Sequence, residues 1–223
     1  LLSIITRIVD VLLPQTCSGC KKPGAFLCAD CILCAPHAEP INGSTEQSTS
    51  FITAVFDYRN PAIRHVIWRL KYKNARGVSK YFGRALYDSI IGEIEGDLRF
   101  SKNETFLLVP IPLHKKRLHE RGYNQSELLA RALLKHDHAQ IFEFAPHALA
   151  RIRATAPQAR SEKRALRLTN LRGAFTVSDH ALIRGRTIIL IDDVTTTGAT
   201  LLEAKRALAK ANPRKVLAFT VAH

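Results

Sequence analysis

Residues 188–200 read IILIDDVTTTGAT. Four aliphatics mark a buried strand, and two acids stand where it should end. In an open parallel sheet, ligands bind beyond the carboxyl ends of the strands, so Asp192 and Asp193 would face one. Adjacent acids point in different directions and can engage vicinal hydroxyls together with a cation those hydroxyls hold. Thr195, Thr196, Thr197, Gly198, Ala199 and Thr200 follow at what reads as the start of a helix. Free N–H groups and the positive end of the helix dipole favour a phosphate there. Gly198 lets the backbone approach closely. Acids for a sugar diol beside a cradle for a phosphate describe a site for a ribose 5-phosphate. The plainer reading, acids capping a helix and threonines making a turn, needs no ligand.

A second chemistry lies near the start. All five cysteines fall between Cys17 and Cys34, as Cys17-x2-Cys20, Cys28-x2-Cys31 and a leftover Cys34. Two C-x-x-C pairs supply the four thiolates of a tetrahedral zinc site. Disulfides fit less well, because nothing suggests secretion and the rest of the chain has no cysteine. A redox C-x-x-C fits less well still, since two pairs lie together. Cys34, three positions past Cys31, is a possible substitute ligand; the expectation takes Cys17, Cys20, Cys28 and Cys31. Four protein ligands leave no open position, so the zinc would be structural. Such ribbons often touch nucleic acid, and many only pack.

The elements that must position these residues follow from periodicity. FITAVFDY, TFLLVPIP, RTIILIDDV and KVLAFTVAH read as strands. PAIRHVIWRLKY, SKYFGRALYDSIIGEI, NQSELLARALLK and GATLLEAKRALAKA read as helices, the third opened by Asn124 with Glu127 in a capping-box arrangement. Short apolar strands separated by helices imply an α/β fold with a parallel sheet covered on both faces. The expected organisation is an N-terminal helix and zinc ribbon over residues 1–39, a polar linker over 40–50, and the α/β domain over 51–223. The 223 residues suit one such domain plus a small appendage.

The chain is basic, with 33 Lys+Arg against 19 Asp+Glu and a formal charge of +14. Residues 115–172 hold 13 basic and 5 acidic residues, over half of that excess. An anionic partner is the functional reading and a solvated surface the bland one. No apolar run approaches the ~18–20 residues of a membrane span. LLSIITRIVDVLLP places Ile5, Ile8, Val9 and Leu12 at helical spacing up to Pro14 and lacks the signals of a secretory leader. That helix would dock on its own domain or make a peripheral contact with a membrane or partner. The expected location is cytoplasmic, with a peripheral place at the inner membrane as the variant.

The stretch 188–200 resembles the PRPP motif of type I phosphoribosyltransferases. The resemblance implies a type I phosphoribosyltransferase-like domain in which Asp192 and Asp193 bind the ribose hydroxyls with Mg2+ and residues 195–200 bind the 5-phosphate. It also implies a pyrophosphate loop after LLVPIP. VPIPLHKKRLHERGYNQSELLAR, RIRATAPQARSEKRALRLTNLRGAF, WRLKYK and the cysteine pairs together are similar to the ComF/GntX family over nearly the whole chain. Lys115, Lys116, Arg117 and Arg121 would then meet pyrophosphate or a nucleic-acid backbone. Arg151, Arg153, Gln158, Arg160, Lys163, Arg164 and Asn170 would belong to a flap over the site. Arg suits phosphate because its planar fork donates in pairs. His114 and His119 flank the basic stretch without a nucleophile to serve.

Three functions stay open on the sequence. The first is a ComF-like protein that binds PRPP or a related phosphoribosyl ligand and supports single-stranded DNA handling in natural transformation, with competence-machinery proteins as partners. The second is an active phosphoribosyltransferase on a nucleobase; some purine-salvage members carry an acid where this chain has Thr196, which weakens a purine reaction. The third is a zinc-ribbon nucleic-acid binder on a non-catalytic scaffold. Fold alone does not decide among them.

Overall fold

The structure is a computed structural model that describes residues 15–41, 49–71, 76–96, 104–153 and 171–223. The expected N-terminal helix, most of the linker, and Gln158, Arg160, Lys163, Arg164 and Asn170 lie outside the described residues.

Among the described residues, five parallel strands form the centre, β1 (Ile52–Phe56), β2 (Phe106–Pro110), β3 (Phe142–Phe144), β6 (Thr187–Val194) and β7 (Lys215–Ala222), in the order β1-β7-β6-β2-β3. β2 is buried throughout, and β6 and β7 are buried at all but one position each, as expected for aliphatic runs covered on both faces. The period-two alternation sorts their side chains into two cores. Ile189, Ile191, Leu217 and Phe219 meet α2 (Pro61–Lys71), α3 (Lys80–Glu95) and α5 (Gln125–Leu134) on one face. Ile188, Leu190, Val216 and Ala218 meet α7 (Ala199–Ala209) on the other. A short antiparallel pair, β4 (Leu149–Arg151) with β5 (Phe175–Val177), joins this second core, as does Ile183 at the end of α6 (His180–Ile183). The α/β parallel-sheet expectation holds; β3 and the β4–β5 pair, three residues each, are additions to it.

Register places the site. Pro110 pairs with Ile191, and the Ile111 amide donates to the Ile191 carbonyl at 2.9 Å. The chain leaving β2 therefore runs beside the acids that end β6. It enters α4 (Lys115–Arg121), so the expected basic loop is a helix. His114 caps it by accepting from the Lys116 amide at 3.3 Å, and Gly122 ends it in the left-handed region at φ +76°. Asn124 caps α5 through the Ser126 amide, as expected, but Glu127 pairs with Arg131 rather than closing a capping box.

The cysteine-bearing segment is not a separate bead. It contains a short helix, α1 (Ala29–Leu33), and Cys17, Leu27 and Ala35 are buried in the same core as α2 and α3. The Phe26 amide donates to Tyr81 Oη at 3.2 Å, and the Arg69 guanidinium sits 3.9 Å over the Phe26 ring. At the ends of the polar stretch, Thr49 Oγ1 donates to the Ile41 carbonyl at 2.8 Å, and both residues are buried. Among the described residues, no helix is long and apolar enough to cross a membrane.

Candidate phosphoribosyl-binding and metal sites

The acids at the end of β6 are deeply placed, Asp192 at 9% and Asp193 at 3% exposure. They reach different partners. Ser126 Oγ, in the first turn of α5, donates to Asp192 Oδ1 at 2.8 Å, and the Asp193 amide donates to the same oxygen at 2.9 Å. Asp193 Oδ1 accepts from the Val194 amide at 2.7 Å, while Lys71 Nζ lies 3.3 Å from Asp193 Oδ2. Burial first, and the Asp193 charge second, push the Asp192 carboxyl up to about 7 despite the Ser126 hydroxyl and nearby Lys71. Burial pulls the Lys71 ammonium down, but Asp193 and Asp192 outweigh it and hold the group above the ordinary lysine range.

The turn after the acids is built around one glycine. Gly198 has φ +73°, and a Cβ there would lie 2.9 Å from Ile52 Cδ1. Its amide donates to Thr195 Oγ1 at 3.1 Å, and the Ala199 amide donates to Thr197 Oγ1 at 3.4 Å. Thr195 and Ala199 are buried, Thr197 and Thr200 half-buried, and Thr196 exposed. Amides and hydroxyls thus converge at the N-terminus of α7, where an anion is favoured.

The basic residues divide. Arg151 on β4 lies close enough to Arg117 on α4 and to Asp192 for its ionisation to sense both; burial, then Arg117, lower it, and Asp192 opposes. The Arg151 guanidinium also sits 5.4 Å over the Phe175 ring. Lys115 and Lys116 are exposed on α4. Arg121 is tied to Gln125, and Arg153 donates to the Arg172 carbonyl at 3.2 Å, at the base of the β4–β5 pair. Glu203 of α7 holds that base from the other side, accepting from the Gly173 amide at 2.6 Å.

A phosphoribosyl transferase domain model matches residues 134–223, the part that carries β6, the acids and the Thr/Gly turn. The chain is 30% identical over 202 residues to DNA utilization protein YhgH of Escherichia coli K12, covering 87% of this chain and 82% of that protein. The chain belongs to the ComF family. Competence protein ComFC of Bacillus subtilis is 33% identical over 169 residues, 75% of this chain and 62% of that one. Competence protein F of Haemophilus influenzae is 26% identical over 212 residues, 92% and 89% of the two chains. A solved structure of the allosteric regulatory enzyme of purine biosynthesis aligns with 64% of this chain and 25% of its own, at TM-score 0.37 and 15% identity.

In this ComF-family chain the four expected cysteines do come together. The sulfurs of Cys17, Cys20, Cys28 and Cys31 lie within 4.8 Å of one another, with Cys17–Cys28 at 3.7 Å and Cys20–Cys28 at 3.6 Å. A zinc tetrahedron with Zn–S of about 2.3 Å has edges of roughly 3.8 Å, so the spacing fits such an ion. Cys34 lies outside the group and is exposed. Burial opposes ionisation of Cys17, but amides of Cys28, Cys20 and Gly19 bring it down to about 6. The Cys31 thiol, held first by Cys28 and then by burial, is pushed up to about 12. Thiols this crowded do not all ionise without a dication among them.

Lys71 and Ser126 are the site residues that sequence reasoning missed. Both lie within segments read only as helices. The signal available for Lys71 was its place inside WRLKYK, one of the stretches on which the family resemblance rests.

Proposed function

We propose that this chain binds PRPP, or a closely related phosphoribosyl ligand, with Mg2+ at the β6–α7 junction, and that it serves single-stranded DNA handling in natural transformation. One observation supports the first part above the rest: a carboxylate pair and an amide-and-hydroxyl turn stand within a single strand–helix junction. Asp192 and Asp193 would take the ribose hydroxyls and the hard cation, which keeps most of its other ligands as water and phosphate oxygen. Mg2+ fits the donor set, since the pair already draws one positive charge, the Lys71 ammonium, to Asp193. Residues 195–200 would take the 5-phosphate, and Arg117 with Arg151 the anion at the sugar's other end. Zinc in the cysteine group would be structural.

The test is calorimetric titration of PRPP into wild type and the Asp192→Asn/Asp193→Asn double variant, each with and without Mg2+. Wild type should bind, with Mg2+ tightening it, and the double variant should lose at least 100-fold. Equal binding by the two proteins would defeat the assignment.

The DNA part is supported by the names of the relatives, DNA utilization and competence proteins, and by the exposed Lys115 and Lys116 beside Arg117. Three phosphate contacts predict a log–log salt slope of about −2 for a single strand, at ~0.7 per phosphate. Lys115→Glu with Lys116→Glu should flatten it by about 1.4. Anisotropy of a labelled oligonucleotide that shows no binding at low salt would remove this part and leave the ligand site standing.

A further inference from the structure

Lys71 is the last residue of α2, and its side chain is three-quarters buried, at 24% exposure. Its ammonium faces Asp193 directly, with Asp192 and Tyr58 also within electrostatic reach. The helix end that carries it is fixed from outside the helix. Tyr123 Oη donates to the Leu70 carbonyl at 2.8 Å, and Tyr123 is itself buried. Tyr123 follows Gly122, the residue that ends the basic helix α4. A buried phenol thus ties the end of α2 to the residue that follows the basic helix.

The charge balance at this spot gives the lysine a task. Two adjacent buried carboxylates need a positive charge nearby, and Lys71 supplies one. A divalent cation at Asp193 would need the oxygen that Lys71 already faces. Two cations crowded at that depth repel strongly, so one must leave. Lysine carries its ammonium on a flexible four-carbon stem, whereas the acids are fixed by Ser126 and by backbone amides.

We propose that Lys71 is an exchangeable counter-cation: it occupies Asp193 in the ligand-free protein, yields that carboxylate to a divalent cation, and then neutralises an anionic oxygen of the ligand that arrives with the metal. The consequence is a site that refuses the bare cation and accepts cation and phosphate together. Only the last step rests on the phosphoribosyl reading; the competition for Asp193 stands without it.

The experiment uses Mn2+ as the probe cation, followed by electron paramagnetic resonance on the full chain. Wild type should take up Mn2+ alone weakly. Lys71→Gln should bind it about tenfold more tightly, because its competitor is gone. Lys71→Arg keeps the charge and should remain as weak as wild type. With pyrophosphate or PRPP added, the order should invert, with Lys71→Gln losing about tenfold against wild type. A merely structural lysine would lower the stability of Lys71→Gln without improving Mn2+ binding, and that result would overturn the inference. If Lys71→Gln does not fold, wild type gives the answer. Acetylation of Lys71 by acetic anhydride, read by mass spectrometry, should quicken once Mn2+ is raised to the concentration at which electron paramagnetic resonance shows the weak wild-type site filled, and an unchanged rate at that occupancy would overturn it equally. If PRPP fails to bind wild type while Lys71→Gln still gains Mn2+ affinity, the exchange stands and the phosphoribosyl reading falls.

Discussion

Cys28→Ser should remove the bound metal and lower the melting temperature of the whole protein by about 5–10 °C. Cys28 is central to the cluster, with its sulfur near those of both Cys17 and Cys20. Metal binding in such a module is folding free energy, so loss of a ligand unfolds its turns. A sequence reading with a separate appendage would confine that loss to the first ~40 residues. The structure argues otherwise, because Leu27 and Cys17, each 1% exposed, pack in the core that α2 and α3 share. Exposing Leu27 and its surroundings costs about 2–3 kcal/mol. At 2–4 °C per kcal/mol for a chain of this size, the shift follows. Gly19→Ala is a gentler route to the same end, since its Cβ would lie 2.7 Å from the Cys31 sulfur. It should weaken metal binding by about 10–100-fold, the range seen when support around a ligand is disturbed. Metal analysis with differential scanning calorimetry checks both. A metal-free Cys28→Ser protein that melts where wild type melts would show the module to be independent after all.

The same comparison shows what kind of information a sequence carries. The clustered cysteines, the double acid and the Thr/Gly turn were legible because each is local, a spacing of a few residues with a chemical meaning. So were β2, β6 and β7, whose aliphatic runs leave no alternative to burial on both faces. Contacts that join distant segments were not legible. Ser126 meets Asp192 from 66 residues away, and nothing in NQSELL distinguishes that serine from any other helix-start residue. Lys71 ends a helix, and only the tertiary fold turns it toward Asp193. β3 and the β4–β5 pair span three residues each, too short for a period to show. The resemblance implies a loop after LLVPIP, but β2 ends at Pro110 and His114 caps a helix there.

The two acids, alike in sequence, should behave in opposite ways when replaced singly. Asp192 has its carboxyl raised from 3.8 to about 7 by burial and by Asp193. Between those values the folded protein binds more protons than the unfolded chain, so stability falls as pH rises through about 4 to 7. Above that window the full penalty of an ionised, buried Asp192 is present. Asp192→Asn mimics the protonated form and keeps an oxygen for Ser126 to donate to. Its stability should therefore be nearly flat across the window and exceed that of wild type at pH 8. Asp193→Asn removes the carboxylate that Lys71 faces and leaves a mostly buried ammonium short of its partner. Breaking a buried pair from one side is strongly destabilising. With Lys71 partly open to water, the expected loss is about 2 kcal/mol, or roughly 4–8 °C. Both variants should lose Mg2+-assisted PRPP binding by tenfold or more, so the difference lies in stability alone. In wild type, binding should strengthen up to about pH 7 and then level, because the cation takes the ionised form of Asp192. Urea melts of the three proteins at pH 5, 6, 7 and 8 separate these cases. An Asp192→Asn protein that tracks wild type at every pH would mean that the buried carboxyl is already ionised throughout. The acid pair would then share its charge equally with Lys71 rather than divide into one proton-holding and one cation-holding member.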